Sequence, residues 1–233
     1  MDLLTQYLAI LSTRDLAAAG FLLLAWIFTG WVIEHPPAWR PSVTVLMAEY
    51  RREWMRQYVA RETRIFDAQM LGSLRQGTSF FASTCLLAMG GVLAVIGNTE
   101  PLQGVAEGLT LADDPTLVWQ IKLLAVVLLL AHGFLKFVWS HRVFGYCAVM
   151  MAAVPNDGTD PAAQPRAAQA AELNIRAAYN FNRGLRSMYF ALAALAWLLG
   201  PIALMVSTVA VVWVLLVREF TSGPHAILTG GPI

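Results

Sequence analysis

The sequence predicts an all-α, polytopic membrane protein with four transmembrane helices and helical cytosolic extensions. Three observations predict it. Of 233 residues, 58% are hydrophobic and 13% charged, about half the charged share of soluble domains. Four stretches approach the roughly 20 apolar residues needed to cross about 30 Å of hydrocarbon. Twelve of the sixteen basic residues lie in two alternate connections between those stretches.

The first predicted span is 16–33, which carries no charge. The residues before it, MDLLTQYLAILSTRD, lack a basic start, and EHPPAW follows it in place of a small-residue cleavage site. It is therefore expected to be a retained span and not a secretory signal. The second span, 77–97, is also uncharged, and the third, 117–139, is interrupted by Lys122, His132 and Lys136. The fourth, 188–217, contains Gly200-Pro201. Cut there, its pieces are short for a crossing, so a single tilted or kinked helix is expected.

Orientation follows from the loops. The connection 34–76 carries Arg40, Arg51, Arg52, Arg56, Arg61, Arg64 and Arg75, and 140–187 carries Arg142, Arg166, Arg176, Arg183 and Arg186. The connection 98–116 has no basic residue but has Glu100, Glu107, Asp113 and Asp114. The positive-inside rule puts both long loops in the cytosol. The acidic loop and both termini then fall in the periplasm, in a single membrane domain of an inner-membrane protein with a flexible tail at 221–233.

The long loops are themselves helical. After Pro41, Ser42 is placed to cap a helix. Val43, Leu46, Met47, Tyr50 and Trp54 then form an apolar face, with Glu49, Arg52, Glu53 and Arg56 opposite and Val45 and Met55 breaking the pattern. That face is expected against lipid headgroups or against the other cytosolic helices. A further helix runs from about Thr63 into the second span. The stretch SHRVFGYCAVMMAAVP prolongs the third span, NDGTDPAAQP is a turn-rich linker, and RAAQAAELNIRAAYNFNRGLRSMYF leads into the fourth. The two halves thus share a plan. FFA at 80–82 with Gly91, and YFA at 189–191 with Gly200, suggest a parallel two-fold repeat, with chance the competing explanation.

Residues with chemistry to offer are few. Lys122 and Lys136 fall on nearly one face of the third span, and with His132 they are the candidates for an ion or substrate path. Snorkelling to the two interfaces is the plainer reading. Arg51, Arg52 and Arg56 with Trp54 and Tyr50 are the candidate lipid or partner surface, anionic lipid included, although neighbouring acids compete for the arginines. His35 and His141 end the first and third spans on one side, where a bis-histidine haem is geometrically conceivable. No catalytic residue is identified: G-x-S-x-G, a phosphate-binding loop and H-E-x-x-H are all missing. Cys85 and Cys147 are expected as free thiols. A net charge of +1 gives no basis for nucleic-acid binding.

IEHPPAWRPSVTVLMAEYRREWM, RIFDAQMLGSLRQGTSFFAST, KFVWSHRVFGYCAVMMAAVPND and AAELNIRAAYNFNRGLRSMYFALAALAWLLGP resemble the bacterial and plant membrane proteins grouped as domain of unknown function five-nine-nine, over about 33–201. The resemblance implies an integral membrane protein of about four spans and brings no functional residues with it. The leading expectation is a non-enzymatic scaffold, assembly factor or accessory subunit without a cofactor. Its expected partners are the lipid bilayer and further copies of itself or other membrane proteins. The alternatives are an oligomeric channel or transporter for a small, anionic solute, and a haem-binding redox protein.

Overall fold

The computed structural model describes residues 11–98 and 115–230, and the expected acidic connection 98–116 lies almost wholly outside them. The elements are α1 (Thr13–Glu34), α2 (Val43–Ala60), α3 (Ile65–Gly97), α4 (Thr116–Ala152), α5 (Ala163–Leu195), a 3-10 turn (Ala196–Leu199), α6 (Pro201–Phe220) and α7 (Gly223–Leu228). No strand occurs among the described residues. Helices α1, α3, α4, and α6 together with α7, are long and apolar enough to cross a membrane. Their outward side chains include Leu24, Leu87, Leu128 and Val206, a surface that hydrocarbon covers and water does not. The chain is a multi-pass membrane protein.

Helix starts are fixed locally. Ser12 Oγ accepts from the Asp15 N–H at 3.1 Å and donates to the Asp15 carboxylate at 2.5 Å. Ser42 caps α2 as the sequence predicts, accepting from the Val45 N–H at 3.2 Å and donating to the Ile33 carbonyl at 2.7 Å. Both satisfy first-turn donors that a helix leaves open.

Two apolar cores are stacked along the long axis. One holds Ala18, Leu22, Val126, Leu129, Phe190, Ala194, Trp197 and Leu204, between the spanning helices. The other holds Met55, Tyr58, Leu71, Phe144, Cys147, Met151 and the alanines Ala163, Ala167, Ala170 and Ala171. This second core is a helical bundle outside the spans, built from α2, the start of α3, the end of α4 and the start of α5. Helices α4 and α5 run antiparallel through both cores. Small residues let them approach: Ser140 Oγ donates to the Ala177 carbonyl at 2.7 Å, and the Cys147 thiol to that of Ala170 at 3.3 Å. At Gly184, an added Cβ would lie 2.8 Å from Phe137 ring carbons. Phe137 in turn stacks on Phe81 of α3 at 5.4 Å and meets Phe181 edge-on at 5.5 Å.

The expected single span over 188–217 is corrected. Helix α5 tightens into the 3-10 turn, Gly200 takes φ 116°, and Pro201 opens α6, a left-handed glycine followed by a first-turn proline. Ser207 Oγ then donates back to the Ala193 carbonyl at 2.9 Å, so α5 and α6 form a hairpin. The end of α5 is central to the bundle: Phe190, Ala191, Ala193, Ala194 and Trp197 are buried by protein. The proposed repeat is broken here too, since Gly91 lies inside α3 whereas Gly200 reverses the chain.

That reversal also decides at which end of the bundle the described chain finishes. At one end of the bundle, Trp197 Nε1 donates to Asp15 at 2.8 Å. At the other, Glu34 binds Arg183 and Arg186, Glu219 accepts from the Thr44 N–H and hydroxyl at 2.9 Å each, and His225 Nε2 donates to the Pro41 carbonyl at 3.0 Å. The described chain therefore starts at one end and finishes at the other, beside the arginine-rich connections. Both termini are expected on one side; in the structure α5 and α6 run in opposite directions where one helix was expected, and this sets the two ends of the described chain at opposite ends of the bundle. The tail expected to be flexible from 221 contains α7, which His225 ties to Pro41.

Gly184→Ala forces a methyl against Phe137 and should cost about 1–3 kcal/mol by overpacking. Thermal unfolding in detergent should record a lowered midpoint, and adding Phe137→Leu should recover part of it.

Candidate functional site: a groove on the extramembrane bundle

Helix α2 stands along α5 and runs away from the spans, with Arg51 reaching Asn174 and Arg52 Nε donating to Glu172 at 2.8 Å. It is not laid along a membrane surface. Its buried positions are Thr44, Ala48, Met55, Tyr58 and Val59. At about 100° per residue, that face is turned by roughly a third of a circle from the apolar face expected around Val43, Met47, Tyr50 and Trp54. The alanine face of α5 and the polar anchors set the rotation. The Tyr58 hydroxyl donates to the Met151 carbonyl at 2.8 Å, and Arg51 is drawn inside.

The rotation leaves the predicted apolar face on an open edge. Helix α2 packs on α5, α5 on α4 and α4 on α3, whereas α2 and α3 meet chiefly where Trp54 Nε1 donates to Asp67 at 2.6 Å. Asp67 is fully buried and also holds Arg61. Between the two helices lies a cavity of about 350 Å³, lined by Met47, Ser73, Leu74, Gly77, Phe144 and Phe181. Arg51, Asn182 and Glu219 line it as well. Met47 on the lining is 38% exposed; Tyr50, one turn on from it, and Phe66 and Met70, on the helical face of α3 that carries Ser73, Leu74 and Gly77, are 52%, 60% and 41% exposed. These side chains lie outside the apolar spans, so the bilayer core does not cover them.

The residues singled out from the sequence are dispersed. Arg51 is partly buried on Asn174, and burial lowers its pKa from the usual arginine value. Arg52 pairs with Glu172 and Glu49, and Arg56 with Glu53. Trp54 is held by Asp67, and Tyr50 is exposed. They do not make one free basic surface. Lys122 is buried beside Trp119, in a cavity at the Asp15 end. Lys136 lines a cleft at the opposite end with His35. Buried Val126, Leu129 and Leu130 lie between the two lysines along α4, so they do not share one chamber. His132 sits between them, meeting Ser187 Oγ at 2.7 Å and the edge of Trp26 at 4.8 Å. His141 turns the other way, meeting Thr78 Oγ1 of α3 at 3.1 Å, so His35 and His141 do not converge. No group of three or more His, Cys, Asp or Glu that could hold a metal occurs among the described residues.

The family model described as protein of unknown function, DUF599, matches the chain over residues 17–224. The chain belongs to that family. The matched range takes in every helix from α1 into α7, and so includes the groove and both end cavities. No curated protein and no solved structure matches the chain.

The apolar face of α2 is expected from the sequence against lipid headgroups or the other cytosolic helices, with Tyr50 and Trp54 on a lipid or partner surface; the groove beside it also needs α3, which only the fold brings alongside. Met55, noted as breaking the periodicity, was the residue pointing to the true interior. Asp67→Ala should remove the acceptor of Trp54 and Arg61 and cost about 1–3 kcal/mol. Combined with Trp54→Phe in a thermal-unfolding cycle, the two losses should fall short of additive, as expected for contacting partners.

Proposed function

We propose that this is a non-enzymatic inner-membrane protein, an accessory subunit, scaffold or assembly factor, which docks an apolar helix of a partner in the groove between α2 and α3. The observation that carries this reading is the exposed set Met47, Tyr50, Phe66 and Met70 on α2 and the start of α3, beside a cavity that Met47, Phe144 and Phe181 line. Helix-in-groove recognition uses apolar anchors spaced like these. Such exposed clusters on otherwise well-packed domains mark interaction sites.

The arginine-rich end is assigned to the cytosol by the positive-inside rule. The extramembrane bundle and the described C-terminal end then face the cytosol, and the Asp15 end faces the periplasm. Reporter fusions at about residue 160 and after Gly230 should report one compartment, and a fusion near residue 105 the other. A C-terminal reporter that agrees with position 105 would refute the assignment.

The partner reading is tested with a photo-crosslinking residue placed in cells at Met47 or Met70, and at Val149 as an exposed control. Discrete adducts of one mass should form from the groove positions and not from Val149. An adduct of twice the chain mass would identify a second copy as the occupant. No adduct, together with a strictly monomeric particle after gentle extraction, would defeat the proposal.

A further inference from the structure

The cleft at the arginine-rich end, on the opposite side of α5 from the groove, carries a separate inference. It has a volume of about 680 Å³ and lies between the end of α1, the middle of α4 and α5. Lys136, Arg176 and Arg183 line it, and Glu34 is its one carboxylate. Glu34 is already engaged. Arg183 grips it with Nη2 at 2.5 Å and Nε at 2.9 Å, and Arg186, 5% exposed, binds it from the buried side. Neither Lys136 nor Arg176 makes an ion pair among the described residues. Trp139 and Tyr179 supply the walls. Burial raises the pKa of the Tyr179 phenol, with the Glu34 carboxylate the next cause, which keeps it a neutral donor.

We propose that this cleft is a binding site for a phosphate-bearing anion. Lys136 and Arg176 provide the charge-assisted donors. Arg183 is pre-positioned by its two-pronged grip on Glu34, and Tyr179 adds a neutral hydrogen bond. A lysine offers a compact point charge and an arginine a planar fork, and both suit tetrahedral oxyanions. Trp139 and Lys136 lie where the apolar part of α4 ends, the depth of lipid headgroups. Tyr146, also on the lining, is ten residues further on, about 15 Å along the axis. The cleft therefore faces both the headgroup layer and the aqueous phase. A phospholipid headgroup and a soluble phosphate present the same chemistry to it.

The experiment uses the purified full-length protein in phosphatidylcholine nanodiscs, with and without phosphatidylglycerol. Native mass spectrometry counts retained lipid, and calorimetry of the phosphatidylcholine sample follows added inorganic phosphate. Lys136→Gln/Arg176→Gln is compared with Arg56→Gln/Arg166→Gln, which removes two exposed cations elsewhere. Because Lys136 and Arg176 anchor no ion pair, the first variant should fold, and an unchanged melting profile checks this. Retention of phosphatidylglycerol by the parent, lowered about fivefold for each cation removed from the cleft and unaffected by the control variant, identifies a lipid headgroup. Phosphate binding with the same dependence and no lipid preference identifies a soluble ligand. Absence of both, or an equal loss in the control variant, overturns the proposal.

Discussion

The close approach of α4 and α5 is the constraint on which the other parts depend. These two helices pass through both apolar cores, and their contact is made by residues with little or no side chain: Gly133, Gly184, Ser140, Ala177 and Ala170. Small residues permit helix axes to approach where lipid supplies no hydrophobic drive between helices. In the extramembrane half the same closeness buries an alanine face that water would otherwise wet. Helices α1 and α6 then pack on the membrane half of this pair, α2 on the outer half, and α3 along the flank of α4.

Charge arrangement follows from that frame. A buried arginine is tolerable only when its partner is fixed, and Glu34 at the end of α1 fixes both Arg183 and Arg186. Asp67 does the same for Arg61 while accepting from Trp54, and Glu219 caps the first turn of α2. Many of the arginines in the two long connections thus have structural work inside the bundle. The contrast gives the cleft its meaning, because Lys136 and Arg176 stand apart from these pairs although Glu34 lines the same cleft.

The groove and the cleft lie on different sides of one rigid helix. Ala178 and Phe181 of α5 face the groove, whereas Arg176, Asn180 and Arg183 face the cleft. No hinge intervenes, since α5 is continuous from Ala163 to Leu195. A ligand held in the cleft and a helix held in the groove would therefore bear on the same element, a few residues apart.

The sequence by itself determined what depends on solvent and on local chemistry. Lipid as the solvent followed from composition, and the helices from runs of apolar residues. The start of α2 followed from Ser42, and the segregation of charge from the loops. These are properties of each segment alone, so they can be read one segment at a time. The tertiary structure decided what depends on neighbours. The rotation of α2 was set by the alanines and Asn174 on α5, so its apolar face became a groove and Arg51 went inside. The fate of 188–217 was set by burial of its first half, since a helix surrounded by protein need not meet lipid along its whole length. That single fact moved the end of the described chain to the opposite end of the bundle. Lys136 and Arg176 are forty residues apart and share no periodicity, and only the α4–α5 hairpin brings them to one cleft.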